Sequence, residues 1–412
     1  MFPLSSLDFF RDRNAPLVLF GRLAVFMGDV TQDLSLIWIV WEMTHSSAAT
    51  SLASMAGRIP LWLFSLPAGV YADASEPRRT MVLANVACSI IALAAFLLGV
   101  SGHLGVPVLC LFAFAISTCR TFEAPVFYSL VRGLARDSAT RQLNGVADTA
   151  KRSARLLAPL LANAVRQVAS ALSLYGLISV FYAFMALAGL RMRMQEQPAT
   201  RLPRKGFVAD LRQAARVIRQ TPTLRFIVLA EFLFNAAYGA CYYVFLPRLT
   251  MDTAGGGALG YAAAVTAFGV GGLVAGVLAT GLNVPGHSLA FAMVGWLGMG
   301  LSFGLMCLTA KLWIIVALTA CAGAAMSIQT IALWSALHDE CPSELSGRVY
   351  SIWRLGADGA LTVSTLAAGV VTDMFGPSRP IGVVGVYVFA AILLARRFAL
   401  RTSGPREVSV PT

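Results

Sequence analysis

Charge is what this chain of 412 residues has least of: Asp, Glu, Lys and Arg make up 13% of it, against 57% hydrophobic residues. A soluble domain is about a quarter charged, so a soluble globular protein is excluded. Cysteine is sparse and scattered, at positions 88, 110, 119, 241, 307, 321 and 341, with no CxxC and no Cys/His cluster. That excludes a disulfide framework and a cysteine metal centre. Only four histidines occur, and His45, His103, His287 and His338 all sit at the ends of apolar runs, the ordinary place for loop histidines. HExxH, GxSxG and P-loop patterns are missing, so no catalytic residue, metal ligand or cofactor is expected. Nor is there a cleavable signal: residues 1–16 are polar and basic, and the first apolar run is too long for a signal core.

Long apolar runs are what the chain has instead. They fall roughly at 17–41, 51–71, 80–100, 107–131, 143–165, 171–190, 224–246, 258–282, 288–308, 312–336, 348–373 and 380–396. About 20 apolar residues span the hydrocarbon core as a helix, and a lipid-embedded backbone must satisfy its own hydrogen bonds. Runs apolar on all sides do not suit the alternating strands of a membrane barrel. The reading is twelve transmembrane helices. The net charge of +12 follows the same plan. Arg11, Arg13, Arg78, Arg79, Arg132, Arg136, Arg141 and the basic middle and tail segments fall on one side. Only Arg166, Arg248, Lys311 and Arg379 fall on the other. The Lys/Arg bias places both termini in the cytoplasm, so the basic charge reports topology and not a nucleic-acid partner.

Residues 191–225 form the one long polar stretch. Within it Phe207, Val208, Leu211, Ala214, Ala215 and Ile218 recur at helical spacing opposite Arg212, Arg216 and Arg219. That pattern predicts a basic amphipathic helix on the inner leaflet. The expected organisation is therefore a six-helix half over 1–190, a cytoplasmic linker over 191–223, and a second six-helix half over 224–412. Two such halves are the plan of major facilitator transporters.

The turn GVYADASEPRRTMV, from Gly69 to Val82, carries the sharpest motif. It resembles the major facilitator signature between helices 2 and 3, matched by Gly69, Ala72, Asp73, Arg78 and Arg79. Ala74 stands where that signature has its first arginine, and Glu76–Pro77 replaces a less acidic pair. FEAPVFYSLVRGLARDSATRQLNGVADTAKRSARLLAP, with Pro125, Asn144, Arg155 and Pro159, resembles the helix 4–5 segment of the enterobactin-exporter and macrolide-efflux group. ECPSELSGRVYS, with Gly347 and Arg348, is similar to that group's helix 10–11 turn, and GYAAAVTAFGVGGLVAGVL to its glycine-rich helix 8. The resemblance implies a cytoplasmic gate in which Asp73 faces the N-terminus of helix 11, an end where an anion gains about 0.3–1 kcal/mol. Gly69, Asp73, Arg78, Arg79, Gly347 and Arg348 are its expected members.

An ionisable side chain at mid-bilayer costs about 2.5–3.5 kcal/mol or more, so each one within a span is a functional candidate. Asp29 and Asp33 lie four apart on one face of the first span. Like charges so close make proton binding by one of them cheap, which suits a proton carrier. Arg120 and Glu123 share the fourth span; Asp148, Lys151, Arg152 and Arg155 the fifth; Glu231 lies on the seventh, Arg354 and Asp358 on the eleventh. Two readings stay open for several of these. Arg58, Arg152 and Glu231 either act within the bilayer or snorkel to an interface. Arg120–Glu123 and Arg354–Asp358 are either functional or static neutral pairs. Trp38, Trp41 and Glu42 read as an outer interfacial belt.

The resulting expectation is a monomeric multi-pass protein of a bacterial inner membrane. It exports a small amphiphilic organic molecule, a siderophore or drug-like compound, by alternating access in exchange for protons. Nutrient uptake or facilitated diffusion is the alternative within transport, and a non-transporting sensor the alternative outside it.

Overall fold

The computed structural model describes residues 14–134, 137–192, 207–281, 288–340, 346–377, 379, 382–390 and 393. Among the described residues it is helical throughout, with no strand. The helices are α1 (Asn14–Thr44), α2 (Ser47–Ala56), α3 (Ile59–Ala74), α4 (Pro77–Val100), α5 (Val106–Leu134), α6 (Asp137–Val168) and α7 (Ser173–Arg191). They continue with α8 (Phe207–Gln220), α9 (Pro222–Ala240), α10 (Leu246–Arg248), α11 (Gly257–Gly281), α12 (Ser288–Met306), α13 (Leu312–Glu340) and α14 (Ser346–Phe375). A further helical stretch covers 382–390. Eight of the described helical segments are long and apolar enough to cross a bilayer.

Side-chain placement along α4 shows how these sequences partition. Met81, Cys88, Ala92 and Ala95 are fully buried, while Leu83, Val86, Ile90, Leu93 and Leu97 stand exposed at spacings of three and four. An apolar stripe of that length facing outward is the lipid-contacting face of a membrane helix and is foreign to soluble surfaces.

Three departures from the sequence expectation have local causes. The second predicted span, 51–71, is broken into α2 and α3 at Gly57–Arg58, because Pro60 in the first turn of α3 cannot continue a helix from upstream. Arg58 thus caps α3 instead of lying inside a helix. The seventh span runs past 246 to Thr253, through two π-helical turns, Cys241–Phe245 and Leu249–Thr253, that flank Pro247. Arg248, expected in an outer loop, is therefore helical and pairs with Asp252 at 3.2 Å. The Trp belt is corrected too: Trp38 and Trp41 are buried at 0% and 7% exposure, and Trp38 meets Tyr261 edge-on at 6.4 Å. Glu42 alone keeps an exposed position, paired with Arg166.

The chain divides into two compact units, Met1–Leu202 with Gly256–Gly269, and Pro203–Gly255 with Val270–Thr412. In the first, α1 packs against α6 and α7, and α4 against α5 and α7. Its core gathers Val25, Leu36, Val40, Met81, Phe127, Tyr175 and Tyr182. In the second, α9 packs on α14 and α12 on α13. The predicted amphipathic helix forms as α8, with Arg212, Arg216 and Arg219 exposed. Its Ile218, however, is buried against Leu224 and Val349, so part of the apolar face meets protein where lipid was expected.

Glycine serves close packing in the glycine-rich α11. A Cβ on Gly271 would lie 1.9 Å from the Ala320 carbonyl oxygen, which no side chain tolerates.

Candidate transport site

The charged groups of the first unit form one chain of contacts. Asp29 on α1 and Arg120 on α5 meet in a bidentate pair, Nε to Oδ1 and Nη2 to Oδ2, both at 2.9 Å. Arg120 Nη1 also donates to Glu123 Oε2 at 2.8 Å, one turn along the same helix. The other oxygen of Glu123 accepts from Arg22 Nη1 at 2.8 Å. Tyr182 on α7 closes the far end by donating its hydroxyl to Asp29 Oδ1 at 2.8 Å. Two guanidiniums and two carboxylates thus cancel, which lets Glu123, at 0% exposure, remain an ion away from water. Arg22 is further held over the Phe127 ring, 3.9 Å from its centroid.

Small residues make this geometry possible. A Cβ on Gly28 would stand 3.3 Å from the Tyr182 ring, so the glycine before Asp29 gives Tyr182 its seat. Ala154 and Ala158 of α6 are fully buried against Met27, bringing α6 close to α1. Lys151 and Arg155 of α6 stand exposed. Asp33, one turn beyond Asp29, is also exposed, in a helix whose other residues from Thr31 to Trp41 are buried. Arg58 and Arg155 are the cations acting on it.

The two carboxylates of α1 thus differ in what meets them. Arg22 lies on α1, and Asp29 is tied to Arg120, leaving Asp33 as the open carboxylate. Sequence reasoning passed over Arg22 and Tyr182. Arg22 carried a signal, an arginine inside the first apolar run. Tyr182 carried none, since a tyrosine in a span reads as core.

In the second unit Glu231 on α9 is buried at 8% exposure. Asn235 Nδ2 donates to its Oε1 at 3.1 Å, and Gln329 Nε2 on α13 to its Oε2 at 2.7 Å. The snorkelling alternative for Glu231 falls with this burial. Arg354 and Asp358 pair along α14 at 2.7 Å, with the Arg354 side chain 51% exposed. An apolar cavity of about 490 Å³ lies beside Ala240, Phe245, Val371 and Tyr387, and none of the candidate charges lines it.

Of the expected gate, Arg78 has a defined place inside the first unit. Its Nε donates to the Gly189 carbonyl at 3.0 Å and its Nη2 to that of Leu190, so it caps the C-terminal end of α7. Arg79 is exposed. Gly69, Asp73, Asp148, Gly347 and Arg348 lie outside the residues whose side chains are described.

This assembly defines a class: an all-helical, multi-pass membrane protein with ionisable groups held inside its spans. The chain belongs to the transmembrane secretion effector family of the major facilitator superfamily, whose model matches residues 6–409. No curated protein matches it at the level of sequence. Among solved structures it is similar to a POT family transporter in complex with a thioalcohol-conjugated peptide, at TM-score 0.75 and 12% identity, over 95% of this chain and 97% of that one. A second POT family transporter, in complex with 5-aminolevulinic acid, gives 0.73 and 12%, over 95% and 97%. A mutant of the nucleoside transporter NupG gives 0.73 and 11%, over 93% and 98%. At such identities the likeness shows the major facilitator fold and no more.

Proposed function

We propose that this protein is a secondary active transporter that exports a small amphiphilic organic molecule in exchange for protons. The observation that carries the reading is Asp33. It is an exposed carboxylate in the middle of a spanning helix, acted on by Arg58 and Arg155. A charge exposed at that depth is tolerable only where water reaches it, and a watered, charged lining inside a membrane protein is what a polar solute path needs. Lys151 and Arg155, also exposed and in the same unit, add cations to such a lining. A lining with these cations suits an acidic ligand, such as a carboxylate or catecholate siderophore, over a cationic drug. Alternating access, a gate at the Gly69–Arg79 turn, a bacterial inner-membrane location and action as a monomer complete the proposal.

Purified protein in sealed liposomes, loaded with a catecholate ligand or with ethidium, tests it. Export accelerated by an imposed pH gradient, faster for the catecholate and lost in Asp33→Asn, is the expected result. Flux indifferent to the gradient for both compounds refutes proton exchange, and a preference for ethidium refutes the acidic ligand.

A further inference from the structure

Among the described residues Glu231 differs from Glu123, the other buried carboxylate, and from the partly exposed Asp29 in what holds it. Glu123 and Asp29 are gripped by guanidiniums. Glu231 makes no ion pair among the described residues; its two oxygens are met by the neutral amides of Asn235 and Gln329. We propose that Glu231 is the group that takes up and releases the transported proton, and that Asn235 and Gln329 are its positioning residues. The inference rests on the proton-exchange reading above and assigns the proton to one residue within it.

Amides are suited to both states of a carboxyl group. While Glu231 is ionised, their N–H groups donate to it, as seen here. When it is protonated, its O–H needs an acceptor, and turning the Gln329 amide over presents a carbonyl oxygen at the same place. The Thr330 hydroxyl, 3.3 Å from that oxygen, gives its one proton to the Met326 carbonyl at 2.8 Å, so little is lost on turning. Neither state then leaves the carboxyl itself without a partner, a loss that would cost about 1–3 kcal/mol. A guanidinium cannot act in this way, because it only donates.

The surroundings supply a second adaptable contact. Trp296 on α12 is buried, and its indole Nε1 is near the carboxyl yet meets no hydrogen-bond geometry in this arrangement. It is a donor in reserve for the ionised state. Gly295 beside it permits the approach of α12 to α13, since a Cβ there would lie 2.5 Å from the Gln329 Cβ. The charged groups that bear on Glu231 are few. From α14 Arg354 acts on it at a distance while paired with Asp358. The neighbouring parts of α12 and α13, around Trp296 and Gln329, carry no ionisable residue, and on α8 the arginines are exposed. The ionised form of Glu231 is thus held by neutral hydrogen bonds that a small helix movement can make or break.

Infrared difference spectra of the purified protein, recorded as pH is stepped, read the group directly. A carboxylic-acid carbonyl band that grows on acidification in wild type, persists in Asp29→Asn, and is missing in Glu231→Gln is the expected result. Gln329→Leu, which keeps the carboxyl but removes one donor to its ion, should move the protonation equilibrium about tenfold toward the acid form. In liposomes, Glu231→Gln should still equilibrate the catecholate ligand downhill while a pH gradient no longer speeds it. The proposal is overturned if the band survives in Glu231→Gln, or if the gradient still drives that variant at the wild-type rate. Wild-type protein that moves no probe at all refutes the transport reading instead, and the infrared result then decides the proton site by itself.

Discussion

Replacing Arg120 with Met removes the hub of the first unit's charge network and leaves its shape almost filled. Arg120 makes three charge-assisted bonds, two at 2.9 Å to Asp29 and one at 2.8 Å to Glu123. Glu123 keeps Arg22 in the variant, so its ion stays compensated. Asp29 keeps only the Tyr182 hydroxyl. Removing one partner of a buried pair costs about 3–5 kcal/mol. Because the Asp29 side chain is 34% exposed, water recovers part of the loss and the lower end applies, about 3 kcal/mol. That is roughly a hundredfold in the folding equilibrium. Adding Asp29→Asn removes the orphaned charge and should restore about 1.5 kcal/mol or more, a coupling of the size direct contacts show. Arg120→Lys should fall between, since an ammonium cannot form the two-pronged contact. Unfolding of the purified protein by SDS titration in mixed micelles, followed by tryptophan fluorescence, measures all three. Arg120→Met within about 0.5 kcal/mol of wild type, or strict additivity in the double variant, would refute the network as a stabilising unit.

Tyr182→Phe removes one hydrogen bond to an ion and should cost about 1.5–3 kcal/mol in the same titration. Gly271→Ala forces a methyl against the Ala320 carbonyl and should lower stability by about 1–3 kcal/mol, whereas Gly356→Ala, whose nearest neighbour is Phe232 at 3.9 Å, should be neutral or gain up to about 1 kcal/mol. Asp73→Asn should insert normally yet slow transport in liposomes, as expected of the gate; a wild-type rate would count against a latch there. Neutralising Lys151 and Arg155 singly should each weaken binding of a catecholate ligand by calorimetry and leave ethidium binding alone, and unchanged catecholate affinity in both would remove α6 from the site.

Helices in a bilayer are legible because hydrocarbon permits so little else. Length and apolarity alone located α1, α4, α5, α7, α11 and α13. What they could not locate was any break whose cause is a partner or a ring. The division of α2 from α3 depended on where Pro60 falls in the first turn, and the π turns around Pro247 on strain passed along a helix already formed. The site was legible as a set of residues and illegible as a set of pairs. Asp29, Arg120 and Glu123 stand out in apolar runs, but spacing reveals only partners on the same helix. Asp29–Arg120 and Arg22–Glu123 join α1 to α5 across 91 and 101 positions of sequence, and nothing in either run encodes that register. Arg78 shows the converse: its motif was plain, while its caps on Gly189 and Leu190 depend on where α7 ends.

The energies also divide labour among the candidate groups. A proton moving down one pH unit releases about 1.4 kcal/mol, and one charge crossing 100 mV about 2.3 kcal/mol. Opening the Arg120–Asp29 contact, at about 3 kcal/mol, would raise any state that requires it by most of that sum. On the proton-exchange proposal, a cycle that avoids such states keeps the network closed, with α1, α5 and α7 tied through Arg22, Glu123, Arg120, Asp29 and Tyr182. On the same proposal, switching falls to groups that change state cheaply. Those are Asp33, exposed to water, and Glu231, whose amide partners serve the ion and the acid alike.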